Sequence, residues 1–251
     1  MHEAFFFGPS DQQLFANYHP AVRGDGRVLT VICPPLFSEY MRAHSVLREL
    51  AVSLSEGGQH VLRLDYRGTG DSFCDLSEVG VSDWVEDIQL AVREGRELSG
   101  SSVVRLLGVR AGALLACKSA GALIDVQRLV LWDPVPDGAS YLQDLRDAQA
   151  TLLEQHFYLS RDERREAKQE YAGHRISDRM VGELGALDAS AYSSVPKSKL
   201  HVIRTSSENE FPVQGVPQEL VQTAYNWESD LENKIMSQQL SEQLIACLTL
   251  S

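Results

Sequence analysis

The chain has 251 residues, 23 of them Lys or Arg against 35 Asp or Glu, giving a formal net charge of −12 at pH 7. That balance argues against a nucleic-acid partner, because a phosphate backbone is bound chiefly through clustered Lys and Arg. The hydrophobic share of 43% and charged share of 23% fit a globular domain, and no stretch reaches the roughly 18 apolar residues of a membrane span.

The N-terminal MHEAFFFGPSDQQ lacks a basic stretch ahead of a long apolar run. We therefore expect a cytoplasmic protein with one domain over residues 1–251. Residues 4–7 and 14–19 flank a Gly-Pro-Ser-Asp turn signal and predict an antiparallel entry hairpin. Strands are expected at Val28–Cys33, 61–65, 103–108, 129–132 and 200–205, several of them apolar throughout, as in parallel strands covered on both faces. Between them, Val46, Leu47, Leu50, Ala51 and Leu54 form one helical stripe. Trp84, Ile88, Ala91, Val92 and Leu98 form another, with Ser82 as its expected cap.

From 139 to 194 the alternation stops. A helix is expected near 141–157, and Ser160 with Glu163 makes a capping-box pattern ahead of a second. No strand is evident there, and a helical insertion after a central strand suggests a lid, with a protein partner as one use of its charged face. A last helix runs through Ile235, Leu240, Leu244 and Leu248. The four cysteines, Cys33, Cys74, Cys117 and Cys247, lie far apart with no metal-type spacing, so free thiols are expected, with no metal and no cofactor.

Two segments carry chemistry. Asp65-Tyr-Arg-Gly-Thr-Gly-Asp-Ser72 follows one strand; as a phosphate loop it fails, because Phe73 stands where the third glycine belongs. Gly108-Val-Arg-Ala-Gly112 follows the next strand and opens a small-residue helix, the pattern of a nucleophile elbow with Arg110 at its apex. Arg110 cannot be a nucleophile, since a guanidinium stays protonated.

With the order of elements, these segments resemble the α/β-hydrolase fold. A closer resemblance is to the exosortase A system-associated hydrolases of the second type. It is carried by VICPPLFSEYMRAHSVLRELAVSL, DYRGTGDS, LLGVRAGALLA and LVLWDPV, over roughly residues 5–135. The resemblance implies a mostly parallel central sheet with helices on both faces, a helical lid insertion, and a triad in the chain order nucleophile, acid, His. It also implies a setting near bacterial exopolysaccharide or surface-protein sorting.

Tested on that pattern, the acid is available as Glu208, Glu210 or Asp133. The seven histidines are His2, His19, His44, His60, His156, His174 and His201, so none follows Glu210. Tyr225-Asn-Trp-Glu228 stands in that region instead. His60 and His201 sit at strand edges, and His156 and His174 belong to the insertion. Of the two backbone donors of an oxyanion hole, the usual His-Gly is replaced by Pro34 and Pro35, which have no N–H. Leu36 and Ala111 keep theirs, with Phe37 beside them.

Three readings of Arg110 follow. It forms an internal salt bridge to Glu208, Glu210 or Asp133; it binds a small acidic or acyl ligand together with Leu36, Phe37 and Ala111; or it turns away beside an unrecognised nucleophile from Cys33, Ser38, Ser72, Ser206 and Ser207. We expect a non-hydrolytic binder or regulatory pseudoenzyme. The alternative is an active hydrolase or acyltransferase on esters or thioesters using non-standard groups.

Overall fold

The computed structural model describes residues 2–155, 160–207, 210–223, 227 and 237–250. The chain opens with the expected hairpin, β1 (Glu3–Phe7) and β2 (Leu14–His19), paired antiparallel with Phe5 opposite Ala16. Then β3 (Val28–Cys33), α1 (Ser38–Glu56), β4 (His60–Leu64), α2 (Val81–Ser99), β5 (Val103–Val109), α3 (Gly112–Ala120) and β6 (Val126–Trp132) alternate. Four helices follow: α4 (Gly138–Gln155), α5 (Arg161–Ala167), α6 (Asp178–Gly185) and α7 (Ser190–Ser193). The chain returns through β7 (Leu200–Arg204) and β8 (Gln218–Leu220) to α8 (Gln238–Thr249). One eight-stranded sheet results, in the order β1-β2-β4-β3-β5-β6-β7-β8. Its strands from β4 to β8 are parallel, and β2 is antiparallel to β4.

The apolar strands are explained by where successive side chains go. Leu129 and Leu131 enter the core under α2 and α3, while Val130 and Trp132 enter the core under α1 and α8. Leu106 and Leu107 divide in the same way. Because side chains alternate across a strand, a strand covered on both faces must be apolar at every position.

Several expectations need correcting. Ser82 does not cap α2: the N-cap is Gly80, whose N–H is taken by Asp83 Oδ2 at 2.9 Å. Ser82 instead binds Glu183 of α6, through its N–H at 2.7 Å and its hydroxyl at 2.9 Å. The helix expected near 141–157 begins earlier, at Gly138, with Asp137 Oδ1 accepting the Ser140 N–H at 2.7 Å. Strand β8 has no counterpart in the sequence reading. The Ser160 capping box is present, with the Ser160 N–H 2.8 Å from Glu163 Oε2. No described helix is long and apolar enough to cross a membrane.

One buried histidine gives the fold a pH dependence. His19 is 2% exposed and its Nε2 has no partner among the described residues. Burial, then the Arg63 charge, push its pKa down to about 4. Neutral in the fold but protonated below about pH 6.5 when unfolded, His19 contributes stability above that pH and loses it as pH falls toward 4. The contribution is at most about 3 kcal/mol. Unfolding free energies of wild type and His19→Gln should converge across that window; parallel pH profiles would contradict the assignment.

Candidate functional site

β5 turns into α3 through Arg110, which holds φ 53°. A non-glycine residue in the left-handed region carries strain of about 1–3 kcal/mol. The turn is fixed by the Arg110 N–H donating to Trp132 O at 3.0 Å, and by the Ala113 and Leu114 N–H groups donating to Arg110 O and Ala111 O, each at 3.1 Å. Both flanking glycines are needed. A Cβ on Gly108 would press on the Ala113 backbone, and one on Gly112 would overlap the Pro34 carbonyl. The glycines therefore let α3 start directly against both β5 and the exit of β3.

The Arg110 side chain lies over the ends of the central strands, 13% exposed. Its Nε donates to Glu39 Oε1 at 2.8 Å, its Nη1 approaches Asp133 O at 3.3 Å, and its guanidinium carbon is 5.5 Å from the Trp227 ring centroid. Glu39, in the first turn of α1, is 10% exposed and has its other oxygen 2.9 Å from the Tyr141 hydroxyl of α4. Burial alone would lower the Arg110 pKa, but the Glu39 carboxylate outweighs it and holds that pKa above the ordinary arginine value. Burial, then Glu39, raises the Tyr141 phenol well above its usual range. The network thus contains one cation, one anion and a neutral hydroxyl.

Of the acids expected to meet Arg110, Glu208 lies outside the described residues and Glu210 is exposed. Asp133 offers Arg110 its backbone carbonyl. Its carboxylate accepts the Thr205 N–H at 2.6 Å, the Thr205 hydroxyl at 2.5 Å and the Trp227 indole N–H at 2.8 Å. The partner that sequence reasoning missed is Glu39, 71 positions from Arg110.

Leu36, Phe37 and Ala111 are buried beside the turn. The Leu36 and Ala111 N–H groups meet no acceptor among the described residues. Phe37, also at φ 53°, packs against Trp84 and Tyr141 and against His174, whose ring centroid is 5.7 Å away. His174 is the described histidine that comes near this region, and burial lowers its pKa. No described histidine is hydrogen-bonded to Arg110, Glu39 or Asp133. His156 and Tyr225 lie outside the described residues.

The remaining nucleophile candidates sit in different settings. Ser72 donates to Asp65 O at 2.6 Å and accepts the Phe15 N–H at 2.9 Å. Cys33 is fully buried, which raises its thiol pKa. Ser38 is half-buried at the start of α1, and Ser206 and Ser207 are exposed. The Asp65–Ser72 loop is braced: Asp65 accepts from Tyr40 and from the Asp71 N–H, and Arg67 pairs with buried Asp87 at 2.6 Å. These bonds tie the loop to α1 and α2, while the buried Tyr66 hydroxyl has no partner among the described residues.

A parallel sheet with this strand order, a leading antiparallel pair, helices on both faces and a strained strand-to-helix turn define the α/β-hydrolase fold. No protein-family profile matches the chain, and no curated protein sequence does. Solved structures do. An α/β serine hydrolase without lid from Xanthomonas campestris superposes with a TM-score of 0.53 at 16% identity, over 88% of this chain and 82% of its own. An esterase from Pyrococcus furiosus gives 0.54 at 16% identity, over 81% and 69%. A thermostable carboxyl esterase from Bacillus coagulans gives 0.53 at 12% identity, over 80% and 78%. Identities this low carry the fold alone.

Proposed function

We propose that the bend at Arg110 is the nucleophile elbow, with arginine where a serine hydrolase carries serine, and that the chain is a non-hydrolytic α/β-hydrolase-fold protein. The observation that carries this reading is the Arg110–Glu39 contact at 2.8 Å, closed above by Tyr141. Acyl transfer needs a nucleophile with a base in hydrogen-bond reach. Here the apex holds a permanent cation already neutralised by its own carboxylate. Asp133 serves as a brace between Thr205 and Trp227, and the four helices between β6 and β7 act as a fixed cover through Tyr141. Binding or regulation of a partner then replaces turnover. The resemblance to exosortase-associated hydrolases supports a bacterial cell-surface context for that role.

A second reading, in which a small acidic or acyl molecule docks beside Arg110, is favoured by the free Leu36 and Ala111 amides. Such a ligand would have to share Arg110 with Glu39, and Arg110→Ala would then abolish its binding. The active-hydrolase alternative requires a nucleophile and base that the described residues do not bring together.

Arg110→Ser tests the main reading. It restores a hydroxyl at the apex without supplying a base, so hydrolysis of p-nitrophenyl acyl esters should stay at the background rate. Esterase activity about a hundredfold or more above background would mean that a general base stands at the elbow, contradicting the proposal.

A further inference from the structure

The outer end of the sheet brings together three side chains that the chain keeps 18 and 28 positions apart. β7 and β8 are parallel with Ile203 opposite Glu219, so His201, two residues before Ile203, shares a face with Glu219. That is the face covered by α8, whose buried stripe of Leu240, Leu244, Cys247 and Leu248 ends at this edge. His201 Nε2 is 2.8 Å from Glu219 Oε1, Cys247 Sγ is 3.9 Å from the same oxygen, and one donor atom from each residue lies within 4.8 Å of the others. His201 is level with Val130 and Leu107, before the strand ends that carry Arg110, so the cluster is separate from the elbow.

We propose that His201, Glu219 and Cys247 form a binding site for a divalent transition-metal ion of borderline softness, such as zinc. Ligand bonds of about 2.0–2.3 Å in a tetrahedral site place neighbouring donors roughly 3.3–3.8 Å apart, a spacing that the observed 2.8 and 3.9 Å bracket. His201 and Cys247 lie within 4.8 Å of each other and Glu219 is partly exposed, so closing on an ion takes side-chain rotation at the His201–Cys247 pair as well as at Glu219. Charge balances as well: a thiolate, a carboxylate and a neutral imidazole together cancel a dication, and the thiol proton leaves to solvent. Arg128, the nearby cation, donates to the Cys247 carbonyl oxygen at 3.3 Å. The mixed sulfur, nitrogen and oxygen set suits zinc or cobalt(II) and is unsuited to magnesium or calcium, which take oxygen. Three protein ligands leave a fourth position for water or an outside donor.

Cobalt(II) is the direct probe, because a thiolate ligand gives a sulfur-to-cobalt charge-transfer band. Titration of the metal-stripped full chain should produce that band with one equivalent bound, displaced by zinc. Cys247→Ser should lose the band, while Cys74→Ser, which removes the exposed thiol, should keep it. Glu219→Gln, at a partly exposed position, should weaken cobalt binding about 10–100-fold or more. Zinc should raise the melting temperature of wild type by more than that of Glu219→Gln. Absence of a one-equivalent band, or a band unchanged in Cys247→Ser and Glu219→Gln, would overturn the proposal.

Discussion

Glu39→Gln should lower the unfolding free energy by about 3 kcal/mol, the cost of leaving a largely buried charge without its partner. The pair is only 13% and 10% exposed, so solvent does little to screen the abandoned guanidinium. The change keeps the shape of the side chain and removes only its charge. Arg110→Met strands the opposite charge and should cost a comparable amount, while Glu39→Gln with Arg110→Met removes both charges and should recover most of the loss. Denaturant unfolding of the four proteins forms a double-mutant cycle with an expected coupling of at least about 3 kcal/mol. Additive effects would mean that the two residues are not paired.

Asp133→Ala should be at least as damaging. The carboxylate accepts from the Thr205 N–H, the Thr205 hydroxyl and the Trp227 indole, and a hydrogen bond to a charged group contributes about 1.5–3 kcal/mol. The residue also holds φ 44°, which aspartate tolerates better than alanine. The combined cost should be about 3–4 kcal/mol, the bonds being coupled and not simply additive. Asp133→Asn keeps the backbone preference and an acceptor oxygen, and should cost about 1–2 kcal/mol. Thermal and denaturant unfolding check both. A carboxylate held only for catalysis would give near-normal stability in Asp133→Ala, and that result would remove the bracing role assigned here.

These expectations show which parts of the molecule local sequence could reveal. Parallel strands covered on both faces must be apolar at each position, so β3, β5 and β6 announce themselves as continuous runs such as VLTVIC and LVLW. The turn from β5 into α3 is legible because a tight turn pressed against two backbones needs glycine at 108 and 112, and the sequence shows both. Sequence alone points to Ser82 as the cap of α2, whereas Asp83, three residues after Gly80, reaches back to the Gly80 N–H and Ser82 binds Glu183. Strand β8 has three residues, two of them exposed, and no alternation long enough to register.

The site itself was half legible. Arg110 stands out by its place in a motif, whereas Glu39 looks like an ordinary acidic residue in the first turn of a helix, favourable there through the helix dipole alone. What makes it the partner is that α1 begins directly beside the exit of β3, next to the strand that carries Arg110. That adjacency belongs to the sheet order and has no local signature. His201, Glu219 and Cys247 repeat the point, since their convergence depends on β8 pairing with β7 and on α8 covering both.

The central claim is that an internally neutralised arginine occupies the elbow and that no acyl transfer takes place there. Wild-type protein treated with a fluorophosphonate probe, and analysed by intact mass, measures this directly. The expected result is unchanged mass and no turnover of p-nitrophenyl acyl esters. Stoichiometric addition of the probe at any serine would show an activated hydroxyl in the molecule and would contradict it.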